Sequence, residues 1–134
     1  MAKKFPLPAH GFNPFADLIG VQFSRAESGA SECALNVRAD LLNPNHLLHG
    51  GVMYSMADTG MGGALFSCLD EGENCATVEI KMNYLKPVKD GALTCATRVI
   101  QRGKTLATLE SEIRNNEQLV AIALGTYAIF KLNR

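Results

Sequence analysis

Residues 49–69 read HGGVMYSMADTGMGGALFSCL and hold a single charge, Asp58. At 1.5 Å per residue they make one helix about 30 Å long. That length also suits a membrane span. However, an acid near the middle costs about 2.5–3.5 kcal/mol on insertion scales, five glycines weaken the helix, and neither end has a basic flank. The other home for a helix apolar on every side is the centre of a core.

The flanking segments supply that core. Asn13-Pro14-Phe15-Ala16-Asp17-Leu18-Ile19-Gly20 reads as one short helical turn, with Asn13 as cap, Pro14 in the first position and Gly20 as stop. Ile19, Val21 and Phe23 then alternate with polar or small neighbours. Cys33, Leu35, Val37 and Ala39 do the same after Gly29, so both stretches predict half-buried strands. After Asp70–Asn74 closes the helix, Val78, Ile80, Met82 and Tyr84 form one face of a third strand. The opposite face is Thr77, Glu79, Lys81 and Asn83. Asp90-Gly91, Arg102-Gly103 and Asn115-Asn116 separate three more, over 92–101, 104–114 and 119–130. The last is nearly continuous apolar, as a central strand would be. Tight turns demand antiparallel neighbours. The prediction is α+β: one antiparallel sheet that curls around one long helix, or a helix covered by a second subunit.

The 134 residues suit a single domain over 1–134, opening with an irregular, proline-rich arm over 1–16. Apolar residues make up 47% and charged residues 19%, a globular composition. Thirteen basic and thirteen acidic side chains cancel, which argues against nonspecific nucleic-acid binding. Cys33, Cys68, Cys75 and Cys95 form no C-x-x-C pair, and the N-terminus has no apolar signal region. Four reduced thiols in a cytoplasmic protein are expected.

Asp58 is the residue most suggestive of chemistry. No Lys or Arg occurs from Ala39 to Ile80, and an unpaired acid among apolar side chains is costly unless solvated, hydrogen-bonded or neutralised. Such costs are tolerated in clefts. A hydroxyl from another element, such as that of Thr77, could instead satisfy it. At the helix start, His49-Gly50-Gly51 offers unpaired N–H groups with little steric hindrance, suited to polarising a carbonyl. Asn43, in the loop before, either donates to the same oxygen or forms an Asx-turn. His46, His49 and Asp58 lack the spacing of a metal site, so no metal and no cofactor is expected. No G-x-S-x-G or phosphate-binding loop is present. Gly60 and Gly63 lie inside the helix, where they permit close packing. Lys81, Lys86, Lys89, Arg98, Arg102 and Lys104 face only Asp90 within 81–104, a basic strip suited to phosphates or simply a solvated rim.

Taken together, Asn43, His49-Gly50-Gly51, Asp58, Thr77 and Asn83-Tyr84-Leu85-Lys86-Pro87 resemble the hot-dog-fold acyl-CoA thioesterases of the phenylacetate-pathway (PaaI-like) type, over roughly residues 15–131. The resemblance implies a sheet of about six strands wrapped around the long helix, homodimers that pair into homotetramers, and hydrolysis of acyl-CoA thioesters without metal. It places the catalytic carboxylate at Asp58, the carbonyl-polarising N–H at Gly50, its helper amide at Asn43 and a water-orienting hydroxyl at Thr77, where the usual serine is replaced. His49 shapes the turn. Gly51, Asn83, Arg102 and Lys104 are the expected substrate contacts, the last two for CoA phosphates. An enoyl-thioester hydratase of the same fold and a noncatalytic acyl-CoA-binding module are the alternatives. Gly50 and Asp58 stand about 12 Å apart on a straight helix, whereas groups acting on one carbonyl must lie within about 3–3.5 Å of it. A two-fold dimer with split sites follows: Asn43 and Gly50 from one copy, Asp58 and Thr77 from the other.

Overall fold

A computed structural model of the chain describes residues 2–7 and 10–132; Met1, Pro8 and Ala9 of the expected arm lie outside the described residues. A short helix, α1 (Pro14–Ile19), precedes β1 (Gln22–Glu27), β2 (Ala30–Asn36) and the long helix α2 (Gly50–Phe66). Then come β3 (Glu73–Tyr84), β4 (Ala92–Arg102), β5 (Leu106–Asn115) and β6 (Gln118–Lys131). All pairings are antiparallel, in the order β1-β2-β4-β5-β6-β3. α2 packs against all six strands, so the sheet curls around it. This is the hot-dog arrangement.

Local signals set most boundaries. The Asn13 side chain accepts from the Ala16 N–H, Pro14 opens α1, and Gly20 ends it at φ 89°. That capping outranks the alternation at Ile19, which closes α1 instead of opening β1. Ala39, expected on β2, lies in a single 3₁₀ turn, Ala39–Leu41. α2 stops at Phe66, three residues early. There the Ser67 hydroxyl donates to the Ala64 carbonyl at 2.7 Å and accepts from the Gly29 N–H at 3.0 Å. Among the described residues no helix is long and apolar enough to cross a membrane.

One expectation is met in part and one needs correction. First, within one chain α2 is not buried on every side, so the sheet alone does not cover it. Met56, Ala57, Met61, Ala64 and Leu65 have no solvent exposure, but Gly51, Tyr54, Ser55, Asp58, Thr59, Gly62 and Phe66 recur at helical spacing along a partly open stripe. The curl stops short, and the two sheet edges, β1 and β3, flank that opening. Second, the two faces of β3 exchange midway. Thr77 pairs with Tyr127 and Glu79 with Thr126, so Val78 is a bulge, 60% exposed instead of in the core. Beyond it Ile80 and Met82 face the core as expected; before it Cys75 does, and Thr77, itself exposed, turns toward Asp58 on α2. β6 is interior in the sheet, yet Ile122 and Leu124 on its outer face are exposed.

The helix glycines divide by surroundings. A Cβ on Gly63 would lie 2.6 Å from the Phe23 ring, whereas one on Gly62 meets nothing within 4 Å. Gly62→Ala therefore raises stability by about 1 kcal/mol. Gly63→Ala lowers it, because overpacking costs about 1–3 kcal/mol. Thermal unfolding of the two variants checks this; shifts of the same sign would refute it.

Candidate active site

Asp58 sits midway along the open stripe of α2, and the sheet brings two hydroxyls to one of its oxygens. Thr77 Oγ1 donates to Asp58 Oδ1 at 2.7 Å, and the Tyr127 hydroxyl donates to the same atom at 2.5 Å. Thr77 and Tyr127 are direct partners across β3 and β6, so strand register aims both, and the Val78 bulge turns Thr77 inward. Tyr127 is buried. Burial, reinforced by its bond to Asp58, pushes the phenol far above its usual range and keeps it a proton donor. Among the described residues no donor reaches Oδ2, and Asp58 lines a groove of about 1010 Å³. One carboxylate oxygen is anchored and the other faces no protein donor among the described residues.

The Thr77 contact is the one expected; Tyr127 is an addition. A hydrogen bond to a charged group contributes about 1.5–3 kcal/mol. We expect Tyr127→Phe to lower kcat for a hydrolysed thioester about tenfold or more with little change in KM. Steady-state kinetics beside a melting curve tests this. A variant that loses only stability would leave Tyr127 a packing residue.

The helix start forms a second group. His49 caps α2, its Nδ1 accepting from the Gly51 N–H at 2.7 Å, so the ring shapes the turn. The same bond occupies the Gly51 amide. Gly50, the first helical residue, keeps an N–H with no acceptor among the described residues. Its carbonyl accepts from the Tyr84 hydroxyl at 2.7 Å. Asn43 forms the Asx-turn. Its Oδ1 accepts from the Asn45 and Leu47 amides at 2.9 and 3.2 Å, which closes an Asx-turn and leaves Nδ2 as a donor.

These groups are separate within one chain. Gly50 and Asp58 are eight residues apart on one helix, about 12 Å. Asn83 is exposed and lies six residues along β3 from Thr77, about 20 Å at 3.3 Å per residue. Its strand neighbour Tyr84 reaches α2 through its hydroxyl, so Asn83 points to the opposite face of β3. Arg102 is held by Glu73 at 2.5 Å, an ion pair in which both side chains are mostly buried. The Glu73 carboxyl is pulled below its usual range by the Asp70 N–H, with a further contribution from Arg102. Lys104 is exposed in the β4–β5 turn. Cys33, Cys68, Cys75 and Cys95 are free thiols.

The sequence profile of the thioesterase superfamily matches residues 45–122. A candidate esterase of Saccharolobus solfataricus is 36% identical over 116 residues, covering 86% of this chain and 77% of that protein. Among solved structures, the conserved protein PA5202 of Pseudomonas aeruginosa superposes with a TM-score of 0.88 at 31% identity, covering 93% of this chain and all of that one. The thioesterase HI1161 of Haemophilus influenzae gives 0.90 at 26% identity, over 98% of this chain and 95% of that one. A mutant of the phenylacetic acid degradation protein PaaI of Thermus thermophilus gives 0.80 at 25% identity, over 87% and 98% of the two chains.

Proposed function

Since this chain belongs to the thioesterase superfamily, we propose that it hydrolyses acyl-CoA thioesters, in sites split between two copies of the chain. The observation that carries this reading is the division of labour along α2. An acid with one oxygen anchored by Thr77 and Tyr127 stands about 12 Å from a helix-start amide with no acceptor. Two helices related by a two-fold axis bring each start to the other's middle. In each site Gly50 N–H and Asn43 Nδ2 of one copy hold the thioester oxygen. Asp58 of the other copy serves the carbonyl carbon through Oδ2.

Two routes are open from that geometry. As a general base, Asp58 takes a proton from water while the water oxygen bonds to the carbonyl carbon. The resulting oxyanion rests on Gly50 N–H. Its collapse breaks the C–S bond, and the CoA thiolate leaves and takes up a proton. As a nucleophile, Oδ2 attacks the carbon directly, expels the thiolate, and water then cleaves the anhydride. Thr77 and Tyr127 orient the carboxylate in either case. A hydratase would need the His49 ring paired with an acid, and here that ring is turned onto Gly51. With Arg102 engaged by Glu73, Lys104 is the cation we assign to the CoA phosphates.

β3 supports the dimer. It is a 12-residue edge strand, and Val78, Tyr84 and Leu85 on and beside it are 47–60% exposed. Such an edge invites pairing with a second copy. Exposed Ile122 and Leu124 on the outer sheet face give dimers a surface for pairing into tetramers. The deciding experiment is thiol release from a panel of short, long and aryl acyl-CoAs, run beside enoyl absorbance. Release of CoA with at least one acyl group is expected. Loss of enoyl absorbance without release would favour the hydratase, and tight binding without turnover the noncatalytic module.

A further inference from the structure

The groove beside Asp58 extends well past the reacting centre. Its floor is the α2 stripe Asp58, Thr59, Gly62 and Phe66, and from Asp58 to Phe66 it is about 12 Å long. Phe15, Ala16 and Val21 form one side, and Cys75 and Ala76 of β3 the other, with polar Asp17, Gln22 and Asn74 also lining it. The far end is closed by aromatic rings. Phe5 meets Phe12, Phe23 and Phe66 at centroid distances of 5.4, 4.7 and 5.8 Å, and Phe12 meets Phe66 at 5.7 Å. Two of these rings, Phe5 and Phe12, come from the N-terminal arm. The arm is tied to the turn after α2 by the Lys3 N–H on the Leu69 carbonyl at 2.7 Å.

At about 1010 Å³ the groove matches the upper end of ordinary ligand pockets, roughly 300–1,000 Å³. Water and a thioester carbonyl do not need that space; an acyl tail does. Gly62 lies midway along the floor, and a Cβ there would meet no atom within 4 Å. Within its own chain the absent side chain is therefore not a packing requirement, unlike at Gly63. It keeps the groove open, at a cost in helix propensity.

We propose that this groove holds the acyl group of the substrate, that Gly62 sets its permitted width, and that the Phe5–Phe12–Phe66 rings set its length. The acyl class is apolar and of medium length. Carbon–carbon bonds of about 1.52 Å at about 111° advance near 1.25 Å each, so 12 Å takes an extended chain of about ten carbons. The proposal rests on the thioesterase reading and names the substrate class of that site.

The test compares Gly62→Leu with wild type on decanoyl-CoA and acetyl-CoA, and measures binding of decyl-CoA thioether, which cannot be hydrolysed. Filling a pocket by a few carbons discriminates by roughly 10–200-fold per methylene-sized misfit. The ratio of kcat/KM for decanoyl- over acetyl-CoA is therefore expected to fall at least ~100-fold, and the thioether to bind at least ~10-fold more weakly. Gly62→Ala gives a smaller change in the same direction. Phe12→Ala, at a ring 49% exposed, shifts preference toward longer acyl groups. Circular dichroism and the dimer's elution volume establish that each variant is folded. An unchanged ratio and unchanged thioether binding in folded variants would overturn the groove assignment while leaving the hydrolase reading intact. Wild type that binds the thioether through Gly62 but releases no CoA from any thioester would do the reverse.

Discussion

Asp58→Asn lowers kcat for the best acyl-CoA thioester by at least ~10², while the fold and KM change little. The substitution is nearly isosteric. An asparagine oxygen still accepts from Thr77 and Tyr127, the two donors on Oδ1, so the strands and α2 keep their positions. What disappears is the second carboxylate oxygen as a base or nucleophile, and both routes need it. Rates measured at saturating substrate, with a melting curve beside them, decide the matter. Turnover within a few-fold of wild type would remove Asp58 from the chemistry. A single turnover in ¹⁸O-labelled water bears on the routes: label incorporated into Asp58 marks an anhydride opened by water at the Asp58 carbonyl, because a general base never exchanges its own oxygen.

Asn43→Ala and Asp58→Asn, each inactive as a homodimer, regain about a quarter of wild-type activity when co-refolded in equal amounts under two-fold pairing. A mixed dimer carries both lesions in one site and none in the other. About half of the dimers are mixed when pairing is random. Recovery must follow subunit exchange and be absent when the folded variants are combined without it. Proven mixed dimers without activity would mean that Asp58 finds its carbonyl-polarising partners within its own chain. The large separation between Gly50 and Asp58 on one helix makes that outcome hard to reconcile with α2 as it stands.

Elements held by local forces were legible in the sequence. Alternation announced the strands, and the Asn13-Pro14 and Gly20 signals bounded α1 even though Ile19 also fitted a strand. Asp58 was conspicuous because no other charge lies between Asp40 and Asp70. Its partners were less visible. Thr77 was named from the sequence, but the alternation put it opposite Ile80. Only the register shift at Val78, which depends on how β3 meets β6, turns it toward Asp58. Tyr127 sits in an apolar run where nothing local separates a core ring from a hydroxyl that serves a carboxylate. The engagement of Gly51 by His49 and of Arg102 by Glu73 is likewise invisible in spacing alone. The open stripe of α2 was hidden because Gly, Ser, Thr and Tyr are neither clearly apolar nor clearly charged.

The bulge at Val78 makes β3 two strands out of phase by one residue, spliced end to end. The segment after it keeps time with the core through Ile80 and Met82, and the segment before it presents Thr77 to the acid. Deleting Val78 would restore a single phase. The sheet has no need of the extra residue, so it would still close, and Thr77, still opposite Tyr127, would stay on the α2 face two places from Ile80. The extra residue thus lets Thr77 and Ile80, an odd number of places apart, share one face; without it they would share that face by simple alternation.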